Sequence, residues 1–390
     1  MELSCKVQNY AWGKIGSTSK VAQLQKSANP SFAIDENLNY AELWMGTHAN
    51  APSVLKTTDK KLSEVISEYP KCLGDKVLKM FGTLPFLFKV LSVNKALSIQ
   101  AHPSKEHAEQ LHAQFPDIYK DPNHKPEMAI ALTSFEALCG FRPWPQIFKF
   151  IECIPELQAI IGSRNPKDND LAFIKYAFHK VLTCCTESLK NCLDKLLARL
   201  KKSNERDFFC ADLIERLHGD FPYDNGILMV YFLNYLKLAP LEAIFLAANE
   251  PHAYLFGDLV ECMACSDNVV RAGLTPKFID VETLCNMLIY DGVPTKEKLF
   301  CPKQEDDYSV IFRPPVPDFA LVQIQVSDNQ SSYTTRPRDS ASILLVISGK
   351  AIYEAGAVVS GTVLFLPAND KITFTKIVES LLIYQAMANV

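Results

Sequence analysis

Three short stretches of this chain set groups able to bind a metal on backbone that reads as extended. In Leu97-Ser98-Ile99-Gln100-Ala101-His102 polar and apolar residues alternate, which in a strand puts Ser98, Gln100 and His102 on one face. In Asn123-His124-Lys125-Pro126-Glu127, just before the apolar run from Met128 to Leu132, Lys125 and Glu127 project together if extension begins at the proline. In Pro251-His252-Ala253-Tyr254 an imidazole and a phenol again share a face. Each stretch taken alone has a plain explanation, a solvated strand face or a surface ion pair of little energetic weight. Three together offer two imidazoles, a carboxylate and an amide oxygen. That mixed nitrogen and oxygen set suits zinc or another borderline divalent ion and leaves a position open for water or substrate. Gln100, His102, Glu127 and His252 are therefore the candidate ligands. Spacing alone does not select them, because His48, His107, His112 and His124 are eligible as well.

The elements that must position these residues are legible in outline. Up to about Pro143 the chain reads as strands and turns, with clear runs at Pro85 to Val93 and Leu97 to His102 joined by a turn at Asn94-Lys95-Ala96. Ala108, Leu111 and Phe115 mark a short helical excursion. From Trp144 to Leu236 helical periodicity takes over, clearest in Leu189, Leu193, Leu196, Leu197 and Leu200, a stripe too short for a coiled coil. Strand character returns near Ile244. Asp280 is placed to cap a short helix carrying Leu284, Met287 and Leu288. From Tyr308 short strands resume, including Ala320 to Val326, Ser342 to Ser348 and Val363 to Pro367, with a turn at Ser348-Gly349-Lys350. The expectation is a mainly β protein: a first β-domain from residues 1–143 and 237–307, a helical insertion at 144–236, and a second β-domain at 308–390. All eight histidines lie at or before His252, so a metal belongs to the first domain.

Composition narrows the function. At 390 residues, with domains of roughly 100 to 200 residues each, two or three domains are expected. A hydrophobic share of 48% supplies substantial cores, and a net charge of −4 offers no field for nucleic acid or an anionic membrane. The opening residues resemble no secretory signal, and no apolar run reaches the roughly 20 residues of a membrane span, so a cytosolic protein is expected. Twelve irregularly spaced cysteines then read as free thiols, mostly buried, and Cys262-Met263-Ala264-Cys265, lacking a second pair, reads as structural. No glycine-rich phosphate loop is present, which argues against ATP-driven chemistry.

The stretch Tyr119-Lys120-Asp121-Pro122-Asn123-His124-Lys125-Pro126-Glu127 resembles a signature of the type I phosphomannose isomerases. The segment from His252 to Lys277, with Glu261, Ser266-Asp267-Asn268, Arg271-Ala272-Gly273 and Thr275-Pro276-Lys277, is similar to that family's long active-site motif. Tyr10-Ala11-Trp12-Gly13, Ala41-Glu42-Leu43-Trp44 and Gly46-Thr47-His48 also look like family segments, so the resemblance spans nearly the whole chain. It implies a cupin catalytic domain, a double-stranded β-helix or jelly roll, followed by a second C-terminal β-barrel. It implies one Zn2+ per chain on Gln100, His102, Glu127 and His252. It also implies interconversion of mannose 6-phosphate and fructose 6-phosphate by proton transfer between C1 and C2 through a cis-enediol. The helical insertion resembles the family only loosely, and the last β-domain looks short near Ala355-Gly356-Ala357-Val358.

Within that frame Arg271 is the expected clamp for an enediolate or a phosphate. Lys125 and Glu261 are the candidate proton-transfer groups, since burial beside a metal shifts both toward neutrality. By family position Ser98 and Lys277 would hold the substrate phosphate. A phosphosugar is the expected partner and a monomer the expected state. Two other functions fit the ligand set: an Fe(II)-dependent oxygenase, which Lys125, Arg271 and Lys277 suit poorly, and a sugar-binding barrel without catalysis.

Overall fold

The computed structural model describes residues 1–164 and 169–390, so four residues of the helical insertion lie outside the description. Two ten-stranded antiparallel sheets carry most of the β character, beside a two-stranded pair of Lys14–Ile15 with Asn39–Tyr40. The first is organised by the strand His252–Ala264. Its first half pairs with Phe135–Phe141, which pairs in turn with Leu233–Leu238. Its second half runs between Phe86–Val93 and Glu127–Ala131. One strand serves both neighbourhoods because it bends at Gly257. There φ is 115° and a Cβ would sit 2.5 Å from the Ser134 carbonyl oxygen, so only glycine fits. In the same stretch Glu136 faces Phe256 while Ala137 faces Tyr254, an extra residue that switches the inward positions from even to odd numbers. Tyr254 before the irregularity and Glu261 and Met263 after it consequently line one cavity.

Phe86–Val93 is buried at all of its positions, yet its two faces differ. Phe86, Phe88 and Val90 join a core that includes Leu321, Ile343, Phe365 and Tyr384 of the second sheet. Leu87, Lys89 and Leu91 point into the cavity. A strand covered on both sides reads as an unbroken apolar run, and here Lys89 interrupts it.

The second sheet runs Lys303–Asp306, Ser309–Phe312, Ala320–Val326, Thr373–Met387, Ser342–Tyr353 and Val363–Leu366, then takes in Glu2–Ser4 and Val54–Leu55 from the other end of the chain. The sheet therefore begins before residue 308 and includes residues expected in the first domain. No sequence pattern announces such a partnership, because strands of two or three residues carry no readable alternation. The Ser348-Gly349-Lys350 turn is not a turn. Gly349, at φ 95°, sits in register shifts within the continuous strand Ser342–Tyr353, as at a bulge. Gly356–Val359 pairs back onto that strand and fills the place that looked short.

Helices Trp144–Cys153, Pro155–Ile161, Asp170–Leu182, Thr186–Leu200 and Ala211–Asp220 form the insertion. The leucine stripe packs as expected, with Leu189, Leu193, Leu196 and Leu200 buried and Leu197 partly so. Leu193→Ala is expected to cost about 2–5 kcal/mol, read as a lower urea midpoint. The insertion ends sooner than expected: Leu233–Leu238 is already a strand, and the preceding apolar run Ile227 to Leu233 hides the boundary because it has neither period. Before Pro143 the chain also holds helices Lys20–Ala28, Leu62–Glu68 and Asp75–Phe81, missed as strands and turns because none exceeds 9 residues. The excursion helix is Lys105–Gln114; Ala108 and Leu111 are buried, but Phe115 caps it and is exposed. Asp280 caps Val281–Met287 through the Thr283 amide. All twelve cysteines are free, but only Cys139, Cys192 and Cys262 are buried, so burial of most of them was a wrong expectation. Cys262 belongs to the core between the sheets. Among the described residues no helix is long and apolar enough to cross a membrane.

Candidate active site

A cavity of about 380 Å³ opens at one end of the first sheet, and its wall includes Gln100, Lys125, Glu127, Glu261, Arg271 and Lys277. Three antiparallel rungs explain the convergence. Gln100 pairs with both His252 and Arg271, so these side chains emerge next to one another on neighbouring strands. Glu127 begins the strand that flanks the second half of His252–Ala264, opposite Met263.

His102, Glu127 and His252 are buried, and their ligand atoms lie within 4.8 Å of one another. His102 Nδ1 is 2.6 Å from the Asn268 carbonyl oxygen, and His252 Nδ1 is 2.9 Å from that of Glu250. A carbonyl only accepts, so each Nδ1 carries a proton, and in the neutral ring Nε2 is the nitrogen that presents a lone pair. Burial, opposed by Glu127, pushes His102 down to about 4, which keeps the ring neutral at pH 7. Burial alone would raise Glu127, but Lys125 at 3.1 Å and His102 hold it well below the usual carboxylate range. The Glu127 oxygens stand 3.4 Å from His102 Nε2 and 3.3 Å from His252 Nε2. With both rings in the neutral form these are not hydrogen bonds, and His102 Nε2, His252 Nε2 and Glu127 Oε2 are buried without partners. Three buried lone-pair donors aimed at one another are costly unless a cation lies between them, so this donor set fits a divalent ion.

None of the four competing histidines belongs to this cluster among the described residues, and three of them have other partners. His124 pairs with Asp318 at 3.0 Å, His112 meets the Tyr119 carbonyl, and His48 stands 3.6 Å from Asp267 at the cavity wall. Ser98 precedes the strand Ile99–Ala101, is half-buried and does not line the cavity, whereas Leu97 does. The alternation expected from Leu97 to His102 therefore holds from Ile99 through His102 and fails at Leu97 and Ser98.

Opposite the three donors lies a second charged group. Glu261 accepts from the Tyr254 hydroxyl at 2.8 Å and from Lys89 Nζ at 3.0 Å, all three being buried. Burial raises Glu261 and Glu127 adds to this, with Lys89 opposing. For Lys89 burial works downward, but Glu261, Glu42 and Glu127 together lift it above the usual lysine range. The Lys89 ammonium also lies 5.2 Å from the ring of Trp44, whose indole donates to Glu42. Lys89 and Glu42 escaped sequence reasoning, although a lysine inside an apolar strand run was the available signal. Lys89→Met, which strands the Glu261 carboxylate, is expected to destabilise the fold by about 3 kcal/mol in urea unfolding.

Arg271 is half-buried and has no ion pair or side-chain hydrogen bond among the described residues; burial lowers its pKa. A guanidinium lining a cavity without a carboxylate is available to an anion. Lys277, exposed at the mouth, is likewise without a side-chain partner among the described residues.

Comparison with known proteins places this arrangement. Sequence models for phosphomannose isomerase type I match residues 1–144 as the catalytic domain, 154–233 as the helical insertion domain and 309–356 as the C-terminal part. Mannose-6-phosphate isomerase of Mus musculus is 47% identical, covering 98% of this chain and 97% of its own. That of Schizosaccharomyces pombe is 40% identical over 100% and 99%. The apo form of mannose 6-phosphate isomerase from Salmonella typhimurium superposes with a TM-score of 0.87 at 31% identity, covering 100% of this chain and 99% of that one. A mannose 6-phosphate isomerase bound with zinc and yttrium gives the same TM-score, identity and coverage.

Proposed function

The chain belongs to the type I phosphomannose isomerase family, with its cupin-type fold, and on that premise we propose that it interconverts D-mannose 6-phosphate and D-fructose 6-phosphate with one zinc ion per chain. The observation that carries this reading is that three buried donors without hydrogen-bond partners, of which Glu127 lines the cavity, stand beside Arg271 and Lys277, two cations with no side-chain partner among the described residues. His102, Glu127 and His252, joined by Gln100 from the adjacent rung, would hold the ion. When bound, zinc supplies positive charge that stabilises the oxyanion developing between C1 and C2.

The residues of the chain divide the remaining tasks. Arg271 presents two parallel N–H donors to the oxygen that becomes negative as the enediol forms. Lys277 meets the phosphate at the mouth. Ser98 stands outside the cavity wall and would reach the phosphate only from the rim, where the next residue, Ile99, pairs with Gly273 at the edge that leads to Lys277. Glu261 and Lys125 are the groups that take the proton from one carbon and return it to the other. Glu261 is suited to this because burial raises its proton affinity while Tyr254 and Lys89 fix its orientation. Its partner Lys125 is held beside Glu127, within the metal centre.

Two other readings differ from this one in outcome. Metal analysis of purified protein is expected to give about one zinc per chain, and a coupled assay to show mannose 6-phosphate becoming fructose 6-phosphate. Binding without turnover at full zinc occupancy would reduce the protein to a sugar-binding barrel, and oxygen uptake dependent on Fe(II) would make it an oxygenase. The domain limits near residues 143, 236 and 307 are also proposed, sharpened by the strands at Leu233–Leu238 and Lys303–Asp306. Residence in the cytosol is supported by twelve unpaired cysteines.

A further inference from the structure

We infer that Asp224, a residue of the helical insertion outside the cavity wall, is a positioning residue that sets the place of Lys277; this rests on the proposed role of Lys277 in holding the substrate phosphate. The Asp224 carboxylate accepts from three backbone N–H groups. One is Gly226 at 2.7 Å within its own segment; the others are Leu274 at 2.7 Å and Thr275 at 3.1 Å, in the stretch that joins Arg271 to Lys277.

That stretch is not relaxed backbone. Gly273 has φ of 159°, and a Cβ there would meet the Gly226 Cα at 2.5 Å, so two backbones touch. Leu274 has φ of 52°, a left-handed conformation that a leucine keeps only when its surroundings enforce it. Asp224 enforces it with two hydrogen bonds at the point where the chain leaves the strand Val270–Gly273. The far end of the loop is fastened separately, by Asp280, which accepts from the Tyr119 hydroxyl at 2.8 Å and from the Thr283 amide at 3.1 Å. Lys277 lies between these two anchors.

Asp224 is itself held by the insertion. The neighbouring Asn225 side chain donates to the Leu182 carbonyl at 2.9 Å, at the end of Asp170–Leu182, and Gly226 to Tyr231 are buried. Arg271, by contrast, is held by the sheet through its pairing with Gln100. Loosening Asp224 should therefore move Lys277 more than Arg271. The insertion contributes to the site by gripping backbone rather than by touching substrate.

The test is steady-state kinetics on the full-length zinc enzyme. Asp224→Asn keeps the size but turns an amide N–H toward one of its donors. It is expected to raise KM for mannose 6-phosphate roughly ten- to a hundredfold, with a smaller change in kcat and unchanged zinc content. Competitive inhibition by inorganic phosphate should weaken in parallel. Asp224→Glu, which keeps the charge but lengthens the side chain, should raise KM in the same direction. In Asp224→Asn with Lys277→Ala, KM should be no higher than in Lys277→Ala alone, because the displaced group is gone. If Lys277→Ala raises KM but neither Asp224 variant does, or if the two effects multiply, the positioning role is wrong while the phosphate reading stands. If Lys277→Ala leaves KM and phosphate inhibition unchanged, the phosphate reading fails and this inference with it.

Discussion

His252→Ala is expected to lower bound zinc from about one per chain to well below that, and to reduce turnover by at least about 10³-fold. His252 Nε2 is buried, without a partner, and 3.3 Å from Glu127, while its Nδ1 is turned by the Glu250 carbonyl. Removing the ring deletes one donor and leaves Glu127 and His102 facing a space that water would enter. Stability offers an independent readout. An ion that binds only the folded state at about 100 times its dissociation constant adds about 2.7 kcal/mol, so chelation should lower the melting temperature of wild type and change that of His252→Ala much less. Unchanged zinc stoichiometry in the variant would remove His252 from the ligand set.

Arg271→Ala should separate catalysis from metal binding. Zinc is expected to stay at about one per chain, while turnover falls by about 10²–10³-fold, the usual cost of one lost oxyanion donor. Stability should shift by no more than about 0.5 kcal/mol, since the guanidinium leaves no carboxylate stranded when it goes. Arg271→Lys should recover only part of the rate, because an ammonium restores charge but not the paired donors. A large loss of stability with normal turnover would make Arg271 a structural residue.

Legibility of the chain depended on how a residue announces itself. His252 and Tyr254 share a face because two residues apart in a strand always do, and their rings stand 6.4 Å apart. Tyr254 and Glu261 are seven apart and should point oppositely. They meet only because of the irregularity beside Gly257, which no alternation count could supply. The selection of His102 over His112 or His124 was equally out of reach of spacing. It depends on Asn268 for His102 and Asp318 for His124, both more than a hundred positions away, and on the Tyr119 carbonyl for His112, and was obtained from family resemblance. The helical insertion was readable from its leucines, but its end was not, because Ile227 to Leu233 is apolar without a period. Ser98 was placed on the cavity face by extending a strand one residue beyond the pairing that defines it.

The strands Phe86–Val93, Glu127–Ala131 and the second half of His252–Ala264 assign their residues to two employers. One parity serves the cavity through Lys89, Glu127 and Glu261; the other seals the contact with the C-terminal sheet through Phe88, Met128 and Cys262. A single inserted or deleted codon in any of them would exchange the two sets, driving charges into the seam and phenyl rings into the cavity. Length changes in these strands should thus be lethal to folding and activity at once, whereas the loops of the helical insertion bear no such parity and, the Asp224 segment excepted, tolerate changes in length.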